Sequence, residues 1–340
     1  ENLKKHVEKG VSFDVATGWL EVQKRIRKSN NRERMMKILR YAAAVLVPVF
    51  FVGISLKYTT HDYFSNKSVL IAQPILPGAA KAILTLDIGE TINLNKETAD
   101  ALQTIEGTNI QIDSTTLNYQ LAQSTSVSPK PVYNKVEIPR GGEYALVLSD
   151  GTKVHLNSMS SLRFPVAFTT GKREVELQGE AYFEVSKTGQ PFIVNANGMQ
   201  VEVLGTTFKI SAYPDEESQT TLVNGSVKVS AEKGESLILK PSQQATIALG
   251  SNSIQVRTVD TSFYTSWVKG KINFKDQRLE DIMKTLSRWY DMNVVYENEK
   301  LKNIRFGCNL NRYEEITPFV KLLEKTEEVH VKIEGNTITF

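Results

Sequence analysis

Three hydrophobic patterns follow one another along the chain. The first is a helical period near the N-terminus, where a single apolar stripe is formed by Val15, Trp19, Val22 and Ile26. An uncharged run follows, and from about residue 69 to about residue 256 apolar and polar positions alternate as they do in β-strands. Beyond residue 268 a helical period returns between short strands. The patterns predict an N-terminal helix, a membrane span, a mainly β region and a small α+β domain.

The uncharged run is the candidate membrane span. It comprises residues 41–56, between Arg40 and Lys57, and as a helix it would be ~24 Å long. Flanking apolar residues and the long stems of the two basic side chains extend it to ~30 Å, the thickness of the hydrocarbon layer. A buried core helix is the alternative. A cleaved signal peptide does not fit, because some forty residues precede the run and no Ala-x-Ala site follows it.

The charges beside this run predict its orientation. Residues 1–40 carry eleven Lys and Arg against five Asp and Glu, although the whole chain has a net charge of only +3. Basic residues are enriched on the cytoplasmic side of a span. We therefore expect residues 1–39 in the cytoplasm, a single span over 40–58 in the inner membrane, a linker over 59–80, and the rest in the periplasm. The N-terminal helix either docks on another helical protein or lies on anionic lipid.

The β region, residues 81–260, is predicted to be a β-sandwich or jelly-roll-like fold built from repeated hairpins. The stretches AILTLDIGETINLN (82–95) and YALVLSDGTKVHLN (144–157) align without gaps, and each reads as two strands joined by a glycine turn. Three later stretches are also interpreted as hairpins. Their predicted turns are near Gly179, at Asn224-Gly225 and at Pro241.

The alternation changes parity within VEVLGTTFKISAY (201–213). Apolar residues stand at odd positions before Leu204 and at even positions from Phe208 onward. A strand cannot change parity without an extra residue, so a β-bulge or tight kink is expected at Gly205 and Thr206. Gly205 is expected to take the unusual backbone angles of a bulge and to leave its carbonyl unshielded beside the Thr206 hydroxyl. The corner is either purely structural or a site of chemistry.

Few side chains suit catalysis or metal binding. The four histidines are scattered without a paired spacing, and Cys308 is the single cysteine, so no disulfide, no metal site and no cofactor is expected. Glu180 and Glu184 are expected on one solvated face of a strand rather than as a catalytic pair. The β region also has no nucleophile elbow and no phosphate loop.

Residues 268–340 are predicted to form two strand–helix–strand units. Asp276 is positioned to cap a first helix, whose buried face carries Leu279, Ile282, Met283, Leu286 and Trp289. A second helix begins at Thr317, and a hairpin that turns at Gly335 closes the chain. Such a domain leaves a sheet edge that either accepts a strand of another protein or serves stability alone. Partner contact is expected at Trp289, at Tyr290 and on the hairpin 329–340.

Together these stretches resemble the FecR family of membrane-anchored anti-sigma regulators. The resemblance rests on EYALVLSDGTKVHLN, LRFPVAF, REVELQGEAYFEVS, PFIV, VEVLGTTFKISAY, TTLVNGSVKV and LKPSQQATI, in this order and with close spacing. The tail from INFKDQRLEDIMKTLSRWYDMNVVY onward is similar to the C-terminal module of the Bacteroidota-type branch. That module is itself similar to the short N-terminal domain of secretins and TonB-dependent transporters.

The resemblance implies a signalling role. Residues 1–39 would be the cytoplasmic remnant of an anti-sigma domain that holds an extracytoplasmic-function sigma factor, with contacts through Trp19, Val22 and Ile26. The signal would come from the periplasmic signalling domain of a TonB-dependent outer-membrane transporter. Proteolysis would free the sigma factor, with an intramembrane protease as a further partner, and no direct contact with nucleic acid is expected.

The resemblance also bears on the LGT corner. Some relatives are cut between the Gly and the Thr of this motif by an N→O acyl shift, which makes Gly205 and Thr206 candidate residues for self-cleavage. Two other functions stay open beside the anti-sigma role. A membrane-anchored carbohydrate-binding protein or enzyme on a β-sandwich is weakened by the lack of paired acids and metal ligands. An inert periplasmic tether leaves the basic N-terminal segment unexplained.

Overall fold

The computed structural model of the chain describes residues 20, 23, 24, 74–94, 111–113, 115–119, 131–169 and 171–340. Its three N-terminal described residues are helical, in agreement with the helix predicted there. Outside the described residues lie the predicted span 40–58 and the stripe residues Trp19, Val22 and Ile26. Where the structure describes the chain, no helix combines the length and the apolarity needed to cross a membrane. From Pro74 onward the described residues belong to one compact unit.

β-strands are the main regular structure of the described chain, as the alternating pattern predicts, and the β domain consists of two sheets that share one long strand. From edge to edge, the first sheet contains β3 (Thr91–Leu94), β2 (Ala82–Thr85), β6 (Tyr133–Glu137), β9 (Ser161–Pro165), the first half of β10 (Arg173–Glu184), β11 (Phe192–Ala196), β12 (Met199–Val203), β15 (Val227–Ala231) and β16 (Ser236–Leu239).

The second sheet faces the first. It contains β4 (Gln111–Ile112), β5 (Thr116–Asn118), β7 (Gly142–Val147), β8 (Lys153–Leu156), the second half of β10, β13 (Thr207–Ala212), β14 (Ser218–Asn224), β17 (Gln243–Ile247) and β18 (Ile254–Thr258). A short strand, β1 (Ala79–Ala80), pairs in parallel with the beginning of β7.

Apolar side chains between the two sheets form the core of the β domain. Phe183 of the second sheet stacks on Phe208, with ring centroids 5.0 Å apart, and meets Phe192 of the first sheet at 6.2 Å. All three rings are fully buried. Because successive side chains of a strand point to opposite faces, the other face of each sheet carries the polar residues.

The two aligned hairpins are present with the same geometry. β2 pairs with β3 so that Ala82 faces Leu94, and β7 pairs with β8 so that Tyr144 faces Leu156, which is the aligned pair in the repeat. The glycine of each turn has a positive φ, 84° in the first hairpin and 83° in the second. The predicted repeat is therefore confirmed.

The three later hairpins are not hairpins, and this part of the prediction is wrong. Turns do occur at Asn224-Gly225 and at Pro241, but the strands on either side of each turn lie in opposite sheets instead of pairing. At Gly179 the chain does not turn back, because β10 continues from the first sheet into the second with a φ of 89° at this glycine. Alternation is the same in both arrangements, so it does not distinguish them.

The parity change at Leu204 also arises because the chain passes from one sheet to the other. β12 ends at Val203 in the first sheet and β13 begins at Thr207 in the second, so the residues between them form a corner where the chain changes sheets. The expected irregularity is also present, since the register of β13 against β14 shifts between Thr207 and Phe208. The kink was predicted from the sequence, but the change of sheet was not.

The C-terminal domain contains two small sheets and two helices. One sheet pairs β19 (Lys271–Arg278) with β21 (Arg305–Asn311), and the other has the order β20 (Asn293–Val295), β23 (Thr337–Thr339) and β22 (Lys332–Glu334). The C-terminal domain is preceded by α1 (Ser262–Thr265) and a 3-10 helix (Ser266–Lys269). The domain itself contains α2 (Leu279–Trp289), a 3-10 helix (Glu299–Asn303) and α3 (Thr317–Glu324).

Both predicted helices and the closing hairpin are confirmed. α2 buries all five of the predicted apolar side chains, and α3 buries Phe319, Val320 and Leu323. The predicted cap is wrong. Asp276 has a φ of 49° where the pairing of β19 with β21 is irregular, and Arg278 is the residue that precedes α2. The strand extends further than the apolar pattern indicated, so the helix begins later.

Candidate functional site

The C-terminal domain covers part of the polar face of the second sheet. Glu143, Glu180 and Lys209 alternate with core residues along their strands, so their side chains point away from the core of the β domain. Glu180 is nevertheless only 8% exposed, whereas Glu184 on the same face is exposed. The prediction of a solvated face is therefore wrong for Glu180. The covered area is the candidate functional site.

Arg312 is the central cation of this domain interface. It follows β21 in the C-terminal domain and is 1% exposed. Its Nε donates to Oε2 of Glu143 (3.0 Å) and its Nη2 donates to Oδ1 of Asn157 (2.6 Å), so both hydrogen bonds reach the β domain. Its guanidinium carbon lies 3.6 Å from the ring centroid of Trp289, which is a cation–π distance. Burial lowers the pKa of Arg312, but a guanidinium stays charged near neutral pH.

A second cation, Arg288 of α2, binds a neighbouring part of the β domain. Its Nη1 donates to Oε1 of Glu216 at 2.6 Å, and its guanidinium carbon lies 3.9 Å from the ring centroid of Tyr213. Burial acts to lower the pKa of Arg288, but Tyr213 and Glu216 outweigh it and the pKa is raised. The backbone takes part as well, since the carbonyl of Arg288 accepts a hydrogen bond from the Gly141 amide at 2.7 Å.

Glu180 and Lys209 form a buried ion pair on the covered face of the second sheet. Nζ of Lys209 lies 2.7 Å from Oε1 of Glu180, and Nδ2 of Asn157 donates to Oε2 at 2.8 Å. Asn157 therefore connects this pair to Arg312. Burial acts to raise the pKa of Glu180, but Lys209, Asn157 and Arg288 outweigh it, so the pKa lies below the usual 4.5.

A third cation, Arg140, belongs to the β domain and binds the C-terminal domain. Arg140 belongs to the loop before β7, and its Nε donates to Oδ1 of Asp291 at 2.9 Å, just beyond the end of α2. Its Nη2 donates to the carbonyl of Ser287 at 3.1 Å. This contact is more exposed than the Arg312 contact, so water screens it more strongly.

The arrangement suits docking of the two domains on each other. Each of the three cations has an anion on the opposite domain, and the contacts are mainly hydrogen bonds and ion pairs. Polar interfaces of this kind between domains resemble transient interfaces, which open and close. In the part of the chain that the structure describes, no group of three or more His, Cys, Asp or Glu side chains is arranged to hold a metal ion.

Trp289 and Tyr290 lie in the interior of the molecule. Trp289 is 1% exposed and its Nε1 donates to the carbonyl of Arg312 at 2.6 Å; the Tyr290 hydroxyl donates to the carbonyl of Glu314 at 2.8 Å. In this arrangement neither side chain offers a surface to another protein. Binding of a partner at these residues stays a prediction.

Gly205 and Thr206 form the corner between β12 and β13. Thr206 is buried, and its Oγ1 donates to the carbonyl of Ser226 at 2.9 Å. Gly205 does not have a positive φ. What this position requires is the absence of a side chain, because a Cβ there would collide with Cγ of Lys187. The hydroxyl is thus held by a hydrogen bond to the turn between β14 and β15.

The cations of the interface are not evident from the sequence. Arg288 had a weak signal, since it directly precedes the tryptophan that ends the apolar stripe of α2. Arg312 and Arg140 had none, because each lies in a polar loop that reads as solvated. Their partners are more than 140 residues away in sequence, and no local pattern reports such a contact.

Two segments of the chain match known families. Residues 134–228 match the family described as FecR protein, and residues 271–340 match the one described as FecR, C-terminal. The structure is also similar to two crystal structures of a candidate anti-sigma factor from Parabacteroides distasonis ATCC 8503. Sequence identity is 26% and 25%, the TM-score is 0.56 in both cases, and the similarity covers 60% and 61% of this chain and 97% of each of the others. No curated protein matches the chain.

The buried ion pair predicts a specific dependence on pH. The lowered pKa of Glu180 stabilises the fold fully above about pH 4.5, and this contribution is lost as the pH falls through the pKa of the folded state. Glu180→Gln should therefore flatten the fall in stability below about pH 4.5. At pH 7 it should cost on the order of 3 kcal/mol, because Lys209 is left buried without its anion. The free energy of unfolding in urea, measured from pH 3 to pH 7, tests this.

Glu184→Gln is the matched control, since Glu184 lies four residues further along the same face and is exposed. It should change the stability by less than about 0.5 kcal/mol. Equal effects of the two substitutions would show that the buried pair has no special role.

Proposed function

We propose that this chain, a member of the FecR family, is an anti-sigma regulator that responds to signals from outside the cytoplasm. The observation that carries the proposal is the presence of both family domains in one chain, over residues 134–228 and 271–340. The similarity to the candidate anti-sigma factor over 60% of the chain supports it further. The proposed partner is an extracytoplasmic-function sigma factor, bound by the N-terminal helix.

The relay that we propose begins at the C-terminal domain. The periplasmic signalling domain of a TonB-dependent outer-membrane transporter binds this domain, and the message passes through a single span over 40–58 in the inner membrane. Strand β22 (Lys332–Glu334) supports such binding, because it pairs with β23 on one side and no other described strand pairs with it. A free edge of this kind can accept a strand of another protein.

The domain interface supports the proposal in a second way. A sensor must pass between two states whose free energies differ by only a few kcal/mol. Charged contacts such as those of Arg140 and Arg288 exchange protein partners for water on opening, so they cost less to separate than an apolar interface of equal area. Proteolysis of the tether, including cleavage by an intramembrane protease, would then free the sigma factor.

Self-cleavage between Gly205 and Thr206 is part of the proposal. Oγ of Thr206 would attack the carbonyl carbon of Gly205, and the peptide C–N bond would break as the hydroxyl proton passes to the nitrogen of Thr206, which becomes a free amine. Water would then hydrolyse the ester to a Gly205 carboxylate and a free Thr206 hydroxyl. The fixed hydroxyl, which donates to the carbonyl of Ser226, supports this chemistry because it limits the rotation of the nucleophile.

Sigma-factor binding is tested with transcription reporters. Each extracytoplasmic-function sigma factor of the host is expressed with a reporter of its own promoter, with and without the full chain. We expect the chain to silence one reporter. Trp19→Asp should weaken this inhibition by about 30-fold, the equivalent of about 2 kcal/mol at an aromatic anchor. Gln23→Asp, at an exposed position of the same helix, should leave the inhibition intact. If no reporter responds, or if Trp19→Asp inhibits as well as the unmodified chain, the anti-sigma proposal is wrong.

Self-cleavage is tested on a denaturing gel of the full chain. The unmodified chain should give two fragments of 205 and 135 residues. Thr206→Ala should give only the uncut chain, because the nucleophile is gone, whereas Thr206→Ser should still be cut because it keeps the hydroxyl. Two fragments in the Thr206→Ala variant would exclude this mechanism.

A further inference from the structure

We infer that the C-terminal domain acts as a clasp on the segment Pro74–Lys81, here called the strap, and that opening the domain interface frees the strap while the β domain stays folded. The inference concerns regulation and rests on the proposed function only for its biological role. Its physical content is that the strap is held mainly by the C-terminal domain, although it leads into the β domain.

The first contact that holds the strap is the burial of its apolar residue, Ile75. Ile75 is 6% exposed and belongs to the core of the C-terminal domain, not to the core of the β domain. Its carbonyl accepts a hydrogen bond from the amide of Ile316, at the start of α3. Burial of this side chain in the core of the C-terminal domain ties the strap to that domain.

The second contact is the close approach of the strap backbone at Gly78 to the indole ring of Trp289. A Cβ on Gly78 would lie 2.7 Å from Cε3 and Cζ3 of Trp289 and 2.7 Å from the carbonyl of Gly141. Only a glycine fits between these groups. Trp289 therefore contacts the strap at Gly78 and also packs against the guanidinium of Arg312. One side chain thus connects the strap to the central cation of the interface.

The strap has little attachment of its own to the β domain. β1 consists of two residues, which pair in parallel with the first two residues of β7. The amides of Ala79 and Lys81 donate to the carbonyls of Gly141 and Glu143 at 3.0 Å and 3.2 Å. A two-residue ladder is marginal without further packing.

Even this short ladder depends on the C-terminal domain. The loop before β7 and the start of β7, which together accept the strap, are held at three points: the Gly141 amide donates to the carbonyl of Arg288, Arg140 binds Asp291, and Glu143 binds Arg312. When the C-terminal domain leaves, the strap loses its apolar pocket and its acceptor loop loses these anchors. Strap, loop and C-terminal domain therefore form one cooperative unit, distinct from the core of the β domain.

Release would change the tether directly. The strap lies between the predicted span and β2, the first strand of the first sheet. Its eight residues would reach ~26 Å when extended, so freeing them lengthens the connection to the membrane and exposes backbone that is otherwise covered. Binding of a partner to the C-terminal domain would reach the tether by this route, with no change in the core of the β domain.

Hydrogen–deuterium exchange of the full chain tests the clasp. The double variant Arg312→Met and Glu216→Lys removes one cation of the interface and reverses the anion facing another, and it leaves β7 unchanged. We expect the amides of Ala79, Lys81 and Gly141 to exchange at least about tenfold faster, while the amides of β10 and β13 keep their protection. Gly78→Val, which forces a side chain against Trp289, should produce the same pattern.

The control is the matching double variant on an exposed pair, Arg163→Met and Glu176→Lys, which should leave all three amides unchanged. The inference is overturned if the Gly141 amide accelerates while Ala79 and Lys81 stay protected, because the strap would then not depend on the clasp. It is also overturned if none of the three accelerates in either variant. The measurement needs no sigma factor, so its failure is distinguishable from failure of the proposed function.

Discussion

The closed arrangement of the two domains depends on Arg312, a cation that is withdrawn from water. A guanidinium does not lose its charge on burial, so its removal from water has to be compensated by partners already in position. Glu143 and Asn157 of the β domain and Trp289 of the C-terminal domain supply these partners. Neither domain alone satisfies Arg312, and the closed arrangement therefore needs both.

This constraint explains how a compact structure could serve the proposed relay. An apolar interface would resist opening, whereas charged groups recover hydration when the interface separates. A partner that binds the open form more tightly shifts the equilibrium by the difference between its two affinities. The elements with the fewest contacts of their own then respond first, and the strap is such an element because its ladder has two residues.

Alternation and helical periodicity predicted those parts of the fold that are governed by one core. They predicted the repeated hairpin, the buried face of α2 and the corner at Gly205. They did not predict which strands change sheets, because the alternating pattern is identical in both cases. Glu180 was assigned to solvent because alternation separates the core face from the other face and does not indicate whether a second domain covers the latter. Glu143 and Arg312 are 169 residues apart, so only the folded chain shows their contact.

The most direct test is a double-mutant cycle between Glu143 and Arg312. The free energy of unfolding of the full chain is measured for Glu143→Gln, for Arg312→Met and for both together, with tryptophan fluorescence as the signal. If the pair holds the domains together, the coupling energy should be at least about 1.5 kcal/mol, as for close charge pairs in protein interfaces. A coupling energy below about 0.5 kcal/mol would mean that this contact does not join the domains.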